Sequence, residues 1–139
     1  MDAADYQKLL DEVRTAEGLR LKAYQDTVGV WTIGYGTNLQ ELEIDRATAE
    51  TWMLDKLAEC AQEATTFPWY AGLSGARQCA MIELIYNLGL TKLRRFVRFL
   101  AAMEAADYVT ARLELLDSKW RTDVGEFRAH RIANAILVG

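Results

Sequence analysis

The stretch Glu17–Asn38, "EGLRLKAYQDTVGVWTIGYGTN", interrupts a chain whose pattern is otherwise helical. Its period changes first. Leu19, Leu21 and Ala23 alternate with Arg20, Lys22 and Tyr24, as in a half-buried strand. Gln25-Asp26-Thr27-Val28-Gly29 has turn chemistry. Val30-Trp31-Thr32-Ile33 is rich in strand formers. Gly29, Gly34 and Gly36 permit backbone conformations and close approaches that other residues resist. The stretch predicts a small antiparallel sheet of two or three strands, with an acid at each side of its first strand, Glu17 and Asp26.

Outward from the sheet the helical period returns. Tyr6, Leu9, Leu10 and Val13 share one side of a helix over 3–16, with Asp2 as N-cap and Gly18 as terminator. Asp45 precedes a long helix that runs to about Thr65, where Phe67-Pro68 ends it. Ser74 caps "GARQCAMIELIYNLG", whose broad apolar face marks a central buried helix closed by Gly89. Shorter amphipathic segments follow at about 93–103, 105–116, 118–122 and 126–137. The fold class is α+β: a small sheet lobe near the N-terminus and a larger helical lobe, joined by the long helix.

Composition sets the bounds. At 139 residues, 51% hydrophobic and 26% charged, the chain is one globular domain, long enough to bury roughly 68–70% of its unfolded surface. There is no apolar run of membrane-spanning length and no secretory leader pattern at the N-terminus. Cys60 and Cys79 offer neither a disulfide framework nor metal spacing and read as buried free thiols. His130, in a polar helix, reads as a surface group or a pH-sensitive contact.

The net charge of −4 is unevenly spread. Residues 1–66 hold 6 basic and 13 acidic side chains, and residues 67–139 hold 10 and 7. That imbalance predicts two sub-structures with different surfaces. Lys92, Arg94, Arg95 and Arg98 form the densest basic cluster, read first as a solvated helix face and second as a contact for an anionic polymer.

Glu17 at a helix end and Asp26 in a sheet turn can face each other across a cleft, and glycoside hydrolysis needs two such carboxylates. One must be protonated to serve the leaving oxygen, and the other ionised to activate water. The Thr32 hydroxyl can help hold that water. Spacing alone still favours surface acids and a turn-forming Asp, because 20 acids among 139 residues make such pairs common.

The residues in full carry more. Glu17-Gly18, Leu21, Tyr24, Asp26, Gly29 and Thr32-Ile33-Gly34-Tyr35-Gly36 resemble the active-site segment of the phage T4-type lysozymes, endolysins of glycoside hydrolase family 24. The resemblance extends weakly through "ARQCAMIELIYNLG", "FVRFL", "SKW" and "RAHR". It implies a lysozyme-like fold as a single domain over 1–139, with a sheet lobe over about 14–66. The helical lobe would take about 67–139 together with helix 3–16.

The resemblance also implies a muramidase that cuts the β-1,4 bond between N-acetylmuramic acid and N-acetylglucosamine of peptidoglycan. Glu17 is then the general acid, and Asp26 with Thr32 handles the attacking water. The family is inverting, which places the two carboxyl groups roughly 6.5–9.5 Å apart. An arginine that pairs with the catalytic Glu carries over to Arg128. Tyr86, Asn87 and Asn38 carry over as cleft support, positions at which an aromatic or amide also serves simple packing. No metal or cofactor is implied, and no nucleic acid or stable membrane partner. A monomer is expected, made in a host cytoplasm and reaching the wall through a separate holin-type lesion during host cell lysis.

Departures are visible. Thr37 stands where many relatives have His, and Phe99 and Glu114 stand where small polar groups contact substrate in the family. With the acidic balance, they motivate an alternative: a weakly active or inactive lysozyme-fold module for glycan binding or phage structure.

Overall fold

The computed structural model describes residues 2–139. Contacts group the chain into two compact units, one ending at Arg46 and one spanning Ala47–Gly139.

The first unit opens with α1, Ala3–Glu17. The Asp2 carboxylate accepts from the Asp5 N–H at 2.8 Å, which satisfies one of the free donors of the first turn. Gly18 ends the helix at φ 70°, and its N–H reaches the Arg14 carbonyl. No residue of α1 is buried, and Tyr6, Leu9 and Val13 are each about half exposed.

The sheet follows as β1, Arg20–Gln25, β2, Trp31–Gly34, and β3, Thr37–Asn38, antiparallel in that order. Tyr24 opposes Thr32, and Thr32 opposes Asn38, with an irregularity in β1 between Arg20 and Tyr24. Thr32 therefore lies on the central strand with a partner at each side, and it is the one buried polar residue among those described. The half-buried alternation expected of β1 is not found. Leu21 is 82% exposed and only Tyr24 is partly covered. Side chains alternate between the two faces of any strand, and on β1 neither face is covered closely enough to bury one.

The second unit is helical: α2, Arg46–Ala64, a 3₁₀ turn at Tyr70–Gly72, α3, Gly75–Leu88, α4, Leu90–Leu93, α5, Val97–Glu104, α6, Tyr108–Leu116, α7, Lys119–Val124, and α8, Glu126–Val138. Ser74 caps α3 by accepting from the Arg77 N–H, and Gly89 closes it at φ 79°. The amphipathic segment expected at about 93–103 is α5, which begins only at Val97, because the backbone turns at Arg94–Phe96 and Phe96 leaves helical geometry at ψ 59°.

Ala80, Met81, Leu84 and Ile85 of α3 meet Ala129, Ile132, Ala133 and Ile136 of α8 in one core with Phe99, Met103, Leu115 and Trp120. Arg77 ties this packing to the chain end. Its Nε and Nη2 donate to the Ile136 and Leu137 carbonyls at 2.8 and 3.1 Å, at the negative end of α8, and its guanidinium covers the Tyr108 ring.

Cys60 is buried as expected, but Cys79 is exposed. The buried stripe of α3 runs through Ala80, Met81, Leu84 and Ile85, and Cys79 falls with Ile82, Glu83 and Tyr86 on the adjoining face. His130 is a surface contact: its Nε2 lies 3.2 Å from Glu126 Oε2, and Glu126 also accepts from Arg121 Nε at 2.8 Å.

Candidate active site

The first unit gathers Glu17, Asp26, Thr32 and Asn38 on and beside the sheet. Glu17 is the last residue of α1. Its carboxylate rests against the backbone of Gly36, in the turn between β2 and β3. A Cβ on Gly36 would stand 2.6 Å from Glu17 Oε2 and 3.1 Å from its Cδ. Gly36 is at φ 85°, so two independent demands fix glycine here: a left-handed backbone and room for the acid.

Asp26 is held by its own turn. The Oδ1 atom accepts from the Val28 and Val30 N–H groups at 2.9 and 2.8 Å, and the Asp26 N–H donates to the Val30 carbonyl. This is an aspartate-stabilised turn, in which the side chain replaces a backbone acceptor. It closes the β1–β2 hairpin, and it directs the carboxylate through one oxygen. Thr32 donates its hydroxyl to the Val30 carbonyl at 2.9 Å. Val30 thus links the two side chains through opposite ends of one residue, its N–H to Asp26 and its carbonyl to Thr32. Asn38 accepts from the Gln40 N–H at 2.9 Å and so shapes the chain that leaves β3.

The remaining candidates lie in the second unit. Arg128, in the first turn of α8, donates from Nε to Glu83 Oε1 at 3.1 Å. Arg131, one turn on, donates from Nη2 to the same oxygen at 2.6 Å. Burial pushes the Glu83 carboxyl upward. The hydrogen bonds and charges of Arg131 and Arg128 outweigh that and hold it below the ordinary carboxylate value. Tyr86 and Arg128 line, with Met53, Leu57 and Ile82, an apolar depression of about 500 Å³. Asn87 accepts from the buried Trp120 indole N–H at 3.0 Å, which is a packing role.

Sequence reasoning missed Glu83. The available signal was a lone carboxylate in the apolar run "AMIELIYNL", with two arginines spaced i, i+3 in "RAHR" to match it. No group of three or more potential metal-binding side chains occurs among the described residues.

A small antiparallel sheet with a helix-end glutamate and a turn aspartate in one unit, and a second unit of helices built on a central buried helix, define a lysozyme-like α+β fold. The family model for phage lysozyme matches residues 14–132. The chain belongs to the phage lysozyme family.

Three relatives set its range. An endolysin of Acyrthosiphon pisum secondary endosymbiont phage 1 is 30% identical over 118 aligned positions, which cover 82% of this chain and 77% of that protein. A probable T4-type lysozyme 2 of Dictyostelium discoideum is 23% identical, with 94% of each chain covered. The pre-baseplate central spike protein Gp5 of Enterobacteria phage T4 is 26% identical over 94% of this chain but only 28% of its own length.

Proposed function

We propose that the protein is a muramidase that hydrolyses the β-1,4 bond between N-acetylmuramic acid and N-acetylglucosamine in peptidoglycan, with inversion at the anomeric carbon. Membership of the phage lysozyme family supports the coarser statement, a lysozyme-type peptidoglycan hydrolase. The observation that carries the residue assignment is the seat of Glu17 on Gly36, in one sheet unit with Asp26 and Thr32.

In this reading Glu17 protonates the leaving glycosidic oxygen while the bond to the anomeric carbon breaks. Asp26 accepts a proton from the water that attacks the opposite face, and the Thr32 hydroxyl orients that water. Water supplies the new hydroxyl, so no redox partner is needed. Arg128 supports Glu17 in the charged state that follows proton donation. Tyr86 and Asn38 shape the surroundings, and Asn87 supports them indirectly through its hydrogen bond from Trp120. Residues 1–139 act as a single lysozyme domain and as a monomer. The enzyme reaches the wall during host lysis through a holin-type lesion. No described helix is long and apolar enough to cross a membrane.

The test is the release of reducing ends and loss of turbidity from isolated Gram-negative peptidoglycan, with Glu17→Gln in parallel. Wild type should be active and the variant nearly inert. Equal activity of the two removes Glu17 as the acid. A product that first appears with retained anomeric configuration removes inversion.

A second reading is favoured by the match to Gp5, a phage structural protein of which this chain resembles 28%. In that reading the chain is a weakly active or inactive lysozyme-fold module for glycan binding or phage structure. Glycan pull-down by an inert wild type would select it.

A further inference from the structure

We infer that Glu83 is a positioning residue that fixes Arg128 for its work. The inference rests on the reading above in which Arg128 supports the acid. Glu83 projects from α3, and Arg128 and Arg131 project from α8 at i, i+3, on one face of the helix. Both guanidiniums converge on one oxygen, Glu83 Oε1, at 3.1 and 2.6 Å.

The way Arg128 is held matters. Glu83 takes the inner nitrogen, Nε. The two terminal nitrogens of Arg128 carry no hydrogen bond among the described residues, so the end-on edge of the fork is open. That edge is the one that receives a second carboxylate bidentately. An unrestrained arginine would lose rotamer freedom on engaging such a partner. One anchored at Nε has already lost it.

Charge points the same way. One carboxylate faces two guanidiniums, so the cluster keeps a net positive charge. Arg131 makes the shorter bond and contributes to the neutralisation of Glu83, which leaves Arg128 less than fully spent on its anchor. The side chain of Glu83 is 28% exposed, less than that of either arginine. It is therefore the least exposed member of the three, and it stands on α3, which sets Ala80, Met81, Leu84 and Ile85 in the core.

The inference is tested with kcat and KM on isolated peptidoglycan for Glu83→Ala and Glu83→Gln, each made alone and with Arg128→Ala. Loss of the anchor should lower kcat by about tenfold to 100-fold in E83A, the scale of a misplacement of about 1 Å, with KM less affected. In E83Q the amide oxygen can replace Oε1 as acceptor for both arginines, so most of kcat should return. Neither change should lower kcat further once Arg128 is alanine, because Glu83 acts through it.

Wild-type kcat in E83A, beside a slow R128A, overturns the role of Glu83 and spares that of Arg128. A loss in E83A that persists in the R128A background overturns it equally, since Glu83 then acts by another route. Failure of E83Q to exceed E83A does the same. If R128A alone matches wild type, the support given by Arg128 is itself rejected, and Glu83 with it, a result seen without altering Glu83.

Discussion

Among the described residues of the unit that ends at Arg46, only Thr32 is buried, whereas Ala47–Gly139 holds all twenty buried apolar residues. The helical unit is shaped by interdigitated side chains, among them Met81, Leu84, Phe99 and Ile132. The sheet unit takes its shape from backbone: a turn closed on Asp26 Oδ1, three antiparallel strands and glycines at positive φ. The contrast separates two kinds of sensitivity. In the helical unit the loss of a core side chain costs stability. In the sheet unit it displaces the groups proposed to do chemistry.

The largest effect should come from the core. Leu84→Ala removes a fully buried side chain from the middle of α3 and should cost about 2–5 kcal/mol, the transfer and cavity terms together. Denaturant unfolding checks the loss, and kcat per folded molecule should stay near wild type. A core variant that is stable but slow would break the separation between the two units.

Gly36→Ala should do the reverse. The left-handed backbone adds about 1–2 kcal/mol of strain. The added Cβ would sit 2.6 Å from Glu17 Oε2, so the carboxylate must move. A displacement of about 1 Å is worth up to about 100-fold in rate, so peptidoglycan hydrolysis should fall on that scale while most of the stability remains. Full activity in this variant would detach Glu17 from the hairpin.

The same contrast explains what the sequence made legible. Local signals were sufficient wherever one residue decides a conformation. Asp2 and Ser74 cap the helices expected of them, Gly18 and Gly89 end those helices, and the Asp26 turn joins the two strands. The pattern from Glu17 to Gly36 was legible because the sheet unit is built from such local decisions. Choices made at long range were not. Glu83 meets Arg128 and Arg131 across 45 and 48 residues. The face that carries Cys79 depends on how α3 is rotated in the core, and an apolar neighbourhood in sequence does not determine it. The exposure of Leu21 is the same kind of miss, since alternation marks a strand but does not say what covers it.

Asn87→Ala sharpens the comparison from a residue first read as cleft support. Its Oδ1 is the acceptor for Trp120 Nε1, and that tryptophan is 2% exposed. An indole N–H left without a partner should cost about 1–3 kcal/mol. The expected result is a lower melting temperature with kcat little changed. A loss of kcat at unchanged stability would return Asn87 to the cleft.

The smallest effect is electrostatic and tests whether the Glu83 cluster obeys the rules of the helical unit. Burial alone would raise the Glu83 carboxyl, but Arg131 and Arg128 hold it below its ordinary value of 4.5. A carboxyl depressed on folding contributes stability that is fully present above that ordinary value. The contribution fades as pH falls through the lower, folded value, where protonation removes the attraction to both arginines. Wild type should therefore be more stable than Glu83→Gln near pH 6, by about 1 kcal/mol or less for pairs this accessible. The difference should shrink as pH drops below about 4.5. Melting curves of the two proteins across that range read it directly. A gap that is constant with pH would mean that Glu83 holds α3 to α8 by shape and hydrogen bonding alone. The charge of the carboxylate would then count for nothing in the packing, even if it still restrains Arg128.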